Sequence, residues 1–153
     1  MNYENSEPFC NSFMNILPQF GIENISLDDV QDCGNHIETP GVVCIIGLVG
    51  DLKGNVIFAM RADCAKKIAS DMMGGMDVDD FDETAQSAIA ELGNMLAATA
   101  CTELSGLGMT VDVSTPTLMH GTFSVSASQD HVVKITMLVD AFPFYIYVSL
   151  QKK

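Results

Sequence analysis

Tryptophan is absent from this 153-residue chain and basic residues are scarce: seven Lys and Arg stand against twenty Asp and Glu, for a formal net charge of −13. A field of that sign repels phosphate backbones, which argues against nucleic acid and for a partner that presents basic groups. The five cysteines, Cys10, Cys33, Cys44, Cys64 and Cys101, are odd in number and contain no CxxC pair. Neither a disulfide framework nor a zinc site is therefore expected, and reduced thiols in a cytoplasmic protein are the plain reading. No apolar run approaches the roughly 20 residues of a membrane span. The opening Met1-Asn2-Tyr3-Glu4-Asn5 lacks the basic and apolar regions of a secretory leader. His36, His120 and His131 are far apart, with no metal-ligand spacing among them. Gly47, Gly50 and Gly54 do not make a phosphate loop, because Lys53-Gly54 reverses the required Gly-Lys order and no helix follows.

What is present is an ordinary globular balance of 48% hydrophobic and 18% charged residues, enough for one domain over residues 1–153. The ten methionines read as flexible core filler. Ser6-Glu7-Pro8 opens a helix whose face carries Phe9, Phe13, Ile16 and Phe20, with Pro18 ending or bending it. Residues 25–37 are expected to hold one irregular strand. The β-branched run Val42–Val49, a turn over residues 50–55 and the run Val56–Met60 read as a hairpin. Asp63 is placed to cap a helix over Cys64–Met73, which Gly74-Gly75 would stop. After an acidic linker, Asp77–Asp82, a long helix is expected over Glu83–Ser105, with Ala85, Ile89, Leu92, Leu96, Thr99, Glu103 and Leu107 in a 3-4-3 spacing. Strands are expected over Met109–Val113, Thr122–Ser128, Val132–Val139 and Phe144–Leu150, the last alternating so that one face is buried. Strands joined by short turns imply an α+β fold, a largely antiparallel sheet packed with the long helix and two shorter ones.

On a wheel of about 100° per residue with Ile89 at zero, the core stripe of Ile89, Leu92 and Leu96 centres near −20°. Glu91 then falls near 200° and Asn94 near 140°, roughly opposite the core and adjacent to each other. Around them stand only small residues: Ser87, Ala98, Cys101 and Ser105. A flat, nearly uncharged stripe is unusual in so acidic a chain, and it lets another backbone approach while two longer side chains project. Exposed i, i+3 polar pairs are nevertheless common on helices, so this pattern leaves a docking face and an unremarkable surface in balance.

Ser87-Ala88-Ile89-Ala90-Glu91-Leu92-Gly93-Asn94, with Pro116 following 22 residues after Asn94, closely resembles the signature of the CheC/CheX/FliY phosphatases. Gly47-Leu48-Val49-Gly50 and Met72-Met73-Gly74-Gly75-Met76 add to the resemblance, which covers most of residues 5–150. A single Glu-x-x-Asn element occurs, so the one-motif CheX subgroup is the nearer match. The resemblance implies a CheC-like fold and hydrolysis of the aspartyl phosphate of a CheY-like response regulator. It implies that Glu91 pairs with the regulator's active-site Lys and that Asn94 orients the attacking water. Ser87, Ala98 and Cys101 take supporting and docking places. It also implies no cofactor of the chain's own, Mg²⁺ supplied by the regulator, and a homodimer. A module that binds and sequesters a regulator without hydrolysis is the alternative; the water-positioning amide of Asn94 favours the enzyme. A small-ligand domain finds no cofactor or titratable cluster to support it.

Overall fold

The structure, a computed structural model, describes residues 5–34, 36–39, 41–121, 123–126 and 132–152. Strand β3 (Val42–Gly50) carries apolar residues almost throughout, and β4 (Leu52–Met60) does so over Val56–Met60, as strands covered on both faces do. They lie inside an antiparallel sheet with β1 (Ile25–Asp32), β5 (Val111–Val113), β6 (Thr117–His120), β8 (Val133–Val139) and β9 (Phe142–Lys152). The strand order is β1-β8-β9-β4-β3, with β5 and β6 both running along the outer side of β3. A separate two-stranded ribbon is formed by β2 (His36–Thr39) and β7 (Phe123–Ser126).

Three helices cover one face: α1 (Glu7–Ile16), α2 (Ala62–Met72) and α3 (Glu83–Gly106). Phe9, Phe13, Ile68, Ile89, Leu92 and Leu96 from the helices meet Cys44, Ile46, Phe58, Phe144 and Ile146 from the sheet in the main core. On the opposite face Ile37, Val43, Ile57, Ala59, Val132 and Tyr147 form a second, smaller core. The expected α+β architecture is therefore present, as three helices on one side of a seven-stranded antiparallel sheet.

Several boundaries move from expectation for identifiable reasons. Residues 25–37 hold two strands, since β1 and β2 enter different sheets; β1 also has a register irregularity between Leu27 and Asp29. The β3–β4 turn closes around Asp51, and Lys53, Gly54 and Asn55 join the strand, because β9 extends far enough to pair with them. Asp63 sits inside the first turn of α2, whose N-cap is Arg61. That helix does stop at Gly74 and Gly75, whose φ angles of 74° and 92° suit residues without a Cβ. Strand β9 is covered on both faces over its middle: Phe144, Ile146 and Val148 face the helices, and Tyr147 and Ser149 are buried on the other side. Strand β6 was not anticipated. The expected strand over Thr122–Ser128 is seen as β7; Thr122, Ala127 and Ser128 lie outside the described residues.

Helix α3 begins where the sequence changes from acidic linker to apolar period. Asp82 is its N-cap and accepts a hydrogen bond from the Ala85 backbone N–H at 2.9 Å, with Glu83 in the first turn where the helix dipole favours a carboxylate. Its buried positions are Ala85, Ile89, Leu92, Gly93, Leu96, Ala97, Ala100, Cys101 and Leu104. The expected stripe thus holds through Leu96 and then turns aside. A 3-4-3 spacing advances 3.5 residues per turn and slips against a straight helix by about 20° every seven residues. Glu103 is exposed and held by Asn11 of α1 at 3.0 Å, and Leu107 is 64% exposed.

Candidate functional site

Glycine at position 93 sets how close α3 lies to the sheet. A Cβ there would stand 2.7 Å from the Cys44 sulfur, with Ile46 and Phe58 side-chain atoms next at 3.5 Å. The helix backbone rests directly on β3 and β4 at this point, which fixes the height and rotation of its neighbours. Glu91 and Asn94 flank that contact on the side turned away from the sheet. Glu91 is exposed and Asn94 half-buried. Among the described residues neither side chain is committed to a hydrogen bond or an ion pair.

Opposite them runs the segment from β5 into β6, and it is held on both sides of β5. The Thr110 backbone N–H donates to Asp51 Oδ2 at 2.7 Å, and the Asp51 N–H returns a bond to the Thr110 carbonyl at 2.9 Å. Further along, the Gly47 N–H donates to Ser114 Oγ at 2.8 Å while the Ser114 N–H donates to the Gly47 carbonyl at 2.8 Å. A side chain at Gly47 would crowd that hydroxyl, since its Cβ would come within 3.2 Å. These bonds pin the approach to Pro116 against β3.

Helix and segment together enclose an open cleft of about 500 Å³. Ser87, Ala90, Glu91 and Asn94 line it from α3, and Val113, Ser114, Thr115 and Pro116 line it from the other side. The distant proline of the signature therefore does share a site with the helical pair. Val113, Ser114 and Thr115 were not singled out from sequence; their place just before Pro116 is the signal that could have marked them.

The five residues proposed for the site divide between two hollows. Ser87, Glu91 and Asn94 line the cleft just described. Ala98 and Cys101 line a second hollow further along the same helix. Ala98 is exposed, but Cys101, expected on the outward stripe, is only 8% exposed. The reason is tertiary: β5 packs along this stretch of α3, and Cys101 shares the main core with its Val111. Burial, and secondarily the Asp112 carboxylate, pushes its thiol above the ordinary range. Burial lifts the Cys44 and Cys64 thiols to about 12, where no reactive thiolate forms at neutral pH.

Among the described residues, no group of three or more His, Cys, Asp or Glu side chains is arranged to hold a metal ion, and no helix is long and apolar enough to cross a membrane. His131 lies outside the described residues. The chemistry available in the cleft is that of one carboxylate and one amide, with small hydroxyls around them. An amide both donates and accepts hydrogen bonds without titrating, so it can orient a water molecule, and an exposed carboxylate can hold a cation.

Residues 42–137 match the family described as "Chemotaxis phosphatase CheX". Over 88 residues the chain is 43% identical to the "CheY-P phosphatase CheX" of Thermotoga maritima, a match spanning 57% of this chain and 57% of that protein. The fold matches a crystal structure of a chemotaxis protein CheX from Desulfovibrio desulfuricans, with a TM-score of 0.86, 23% identity and coverage of 98% and 99% of the two chains. It also matches a Borrelia burgdorferi CheX solved as a CheX–CheY–BeF₃–Mg²⁺ complex, with a TM-score of 0.79, 20% identity and coverage of 99% and 100%.

Proposed function

The chain belongs to the CheX family of chemotaxis phosphatases, and on that premise we propose that it hydrolyses the aspartyl phosphate of a CheY-like response regulator. The observation that carries the reading is the cleft itself. It presents an uncommitted carboxylate and an uncommitted amide one helical turn apart, over a helix held rigidly on the sheet by Gly93. The regulator docks across α3 with its phosphorylated aspartate at Asn94. Glu91 takes the active-site Lys of the regulator as an ion pair and so fixes the register of the two proteins. Asn94 enters the regulator's site and holds a water in line with the phosphorus. Positioning of this kind supplies most of what phosphoryl transfer needs, because the transition state calls for alignment more than for covalent help.

Mg²⁺ belongs to the regulator and neutralises charge on the phosphoryl oxygens there; this chain contributes no ligand to it. Ser87 lines the N-terminal end of the cleft, where its hydroxyl supports the docked backbone. Ala98 keeps the helix surface low so that the regulator can approach. Cys101 contributes bulk beneath that surface rather than a reactive group. The regulator acts in the cytoplasm, and the chain works there as a single CheX-like domain. In its working form it is a homodimer, with an exposed sheet edge covered by a second copy. Support for the partner class comes from the Borrelia burgdorferi relative, which was solved with CheY.

The test uses the two residues separately. Both face away from the core, so Glu91→Ala and Asn94→Ala should each change stability by only about 0.5 kcal/mol. Asn94→Ala should slow phosphate loss from the regulator by roughly 10² or more while affinity for a beryllofluoride-loaded regulator persists. Glu91→Ala should weaken binding and lower turnover together. The same Asn94→Ala variant serves as a trap to capture the regulator from extracts of the source organism. Wild-type turnover by a folded Asn94→Ala variant would remove the catalytic assignment and leave the chain as a binding module.

A further inference from the structure

Strand β3 is paired along its outer side by two strands whose registers differ by one residue. Leu48 faces Val113 of β5, whereas Ile45 faces Thr117 of β6. Between those pairs β3 has Ile46 and Gly47, but the facing chain has Ser114, Thr115 and Pro116. One residue too many opposes β3 here, which makes a β-bulge, and the chain must leave the ladder to accommodate it. Proline at the end of this stretch suits the departure, because it has no N–H to pair. Thr115 and Pro116 line the cleft across from Glu91 and Asn94.

The departure begins at Ser114. In a regular antiparallel pair Gly47 and Ser114 would exchange two backbone bonds. One of them is made, from the Ser114 N–H to the Gly47 carbonyl at 2.8 Å. The other goes to the side chain, since the Gly47 N–H donates to Ser114 Oγ at 2.8 Å. The hydroxyl thus stands in for the residue's own carbonyl and frees the main chain to turn away from β3. It also donates to the Thr115 carbonyl at 3.2 Å, which belongs to the peptide leading into Pro116. With donor and acceptor both engaged, the hydroxyl fixes where the bulge starts and how the next peptide lies. We propose that Ser114 is a positioning residue for phosphate hydrolysis: its hydroxyl sets the wall of the cleft that holds the regulator's phosphorylated segment against Asn94. The inference rests on the reading of the chain as a regulator phosphatase and deepens it. Glu91 binds through its charge and does not depend on the opposite wall. Alignment of the phosphoryl group with the water on Asn94 does depend on it, and a shift of about 1 Å is enough to cost much of the rate.

The test compares Ser114→Ala, which removes the hydroxyl, with Ser114→Thr, which keeps it. Gly47→Ala approaches the same contact from β3: its Cβ would stand 3.2 Å from Ser114 Oγ but at an ordinary 3.6 Å from Ser114 Cβ. The control is Ser70→Ala, which removes a comparable bond, to the Met76 carbonyl at 2.6 Å, from a residue with no place in the cleft. The probe is the regulator captured with Asn94→Ala. Affinity is measured with that regulator loaded with beryllofluoride and Mg²⁺, and turnover with its phosphorylated form. Ser114→Ala should lower kcat about tenfold while Kd changes less than about twofold. Ser114→Thr should bring kcat back to within about threefold of wild type. Gly47→Ala should slow turnover by itself, yet change kcat less than about twofold in the Ser114→Ala background, where the oxygen it crowds is gone. Amide exchange at Gly47 should be slow in wild type and in Ser114→Thr, and about tenfold faster in Ser114→Ala. Ser70→Ala should leave kcat and Kd near wild type.

Wild-type kcat in a folded Ser114→Ala variant would overturn the inference, as would an equal loss in Ser70→Ala, which would reduce the effect to general loosening. A Ser114→Thr variant as slow as Ser114→Ala, or Gly47 amide exchange unchanged in Ser114→Ala, would overturn it too, because the hydroxyl would then not be the working group. A rise in Kd as large as the fall in kcat would make Ser114 a docking contact instead. Each of these results leaves the proposed function standing. A wild-type chain that hydrolyses no regulator removes the proposed function, and the inference falls with it.

Discussion

Ala141 shows how a single side chain can sit at odds with its own backbone. It shares with Asp140 the two-residue turn between β8 and β9, where both φ angles are positive, 48° at Asp140 and 73° at Ala141. That turn matches the twist of the strands but favours Asn, Asp or Gly. Asp140 suits its place and is tied down further: its carboxylate meets Lys67 Nζ at 2.7 Å, and its N–H donates to the Asn24 carbonyl at 2.9 Å. Ala141 has no such compensation and carries the left-handed cost of a Cβ, about 1–2 kcal/mol. Ala141→Gly removes that cost and returns part of it as unfolded-chain entropy, so it should stabilise the protein by about 0.5–1 kcal/mol. Denaturant unfolding of the two proteins side by side measures the difference. A loss of stability would mean that the turn does not constrain this position. The expected strands left a break over residues 140–143, but the two-residue turn with both φ angles positive was not legible there, because Asp-Ala is a weak turn dipeptide and the facing strands force it.

At the scale of elements, α3 connects packing to function. Its start and length were legible in the Asp82 cap and the apolar period. Its outward pair could be placed opposite the core by counting turns from Ile89. What counting could not supply was the change of neighbours along the helix: past Leu96 the buried face takes in Cys101, where β5 packs against the helix, while Glu103 is left at the surface, held by Asn11. Gly93 is the point where helix and sheet touch. Gly93→Ala would drive its methyl into the Cys44 sulfur and should cost about 1–3 kcal/mol through overpacking. Because residues 91 and 94 flank that point, turnover should fall as well. Cys44→Ala opens the space, so the double variant should be more stable than the sum of the two single losses by about 1 kcal/mol or more. Simple additivity in thermal or denaturant unfolding would show that the close approach at Gly93 does not limit helix placement.

For the molecule as a whole the informative feature is the free edge of the sheet. All eight residues of β1 are at least partly exposed, and Leu27 and Val30 are 50% and 38% exposed. An edge of this length invites pairing, yet it carries Asp28, Asp29 and Asp32, charges that oppose casual association. The proposed homodimer should therefore form through this edge at the cost of bringing like charges together, and salt should strengthen it by screening them. Light scattering at high micromolar concentration, with and without added salt, should show a species of twice the chain mass that grows with salt. A 16.5 kDa particle under every condition would remove the dimer.

The sequence by itself determined the α+β class, the three helices, most of the strands and the facing of Glu91 and Asn94. Each follows from local chemistry: apolar period, capping residue, β-branched runs and glycine stops act within a few residues of where they stand. Tertiary structure alone decided that β2 and β7 form a second layer over Val43, Ile57 and Tyr147, that β6 pairs along β3, and that Cys101 is buried. It also brought Ser114 and Pro116 alongside α3, through hydrogen bonds from Gly47 and Asp51 to residues about sixty positions away. Those outcomes depend on which surfaces meet after the chain has folded, and no window of neighbouring residues contains that information.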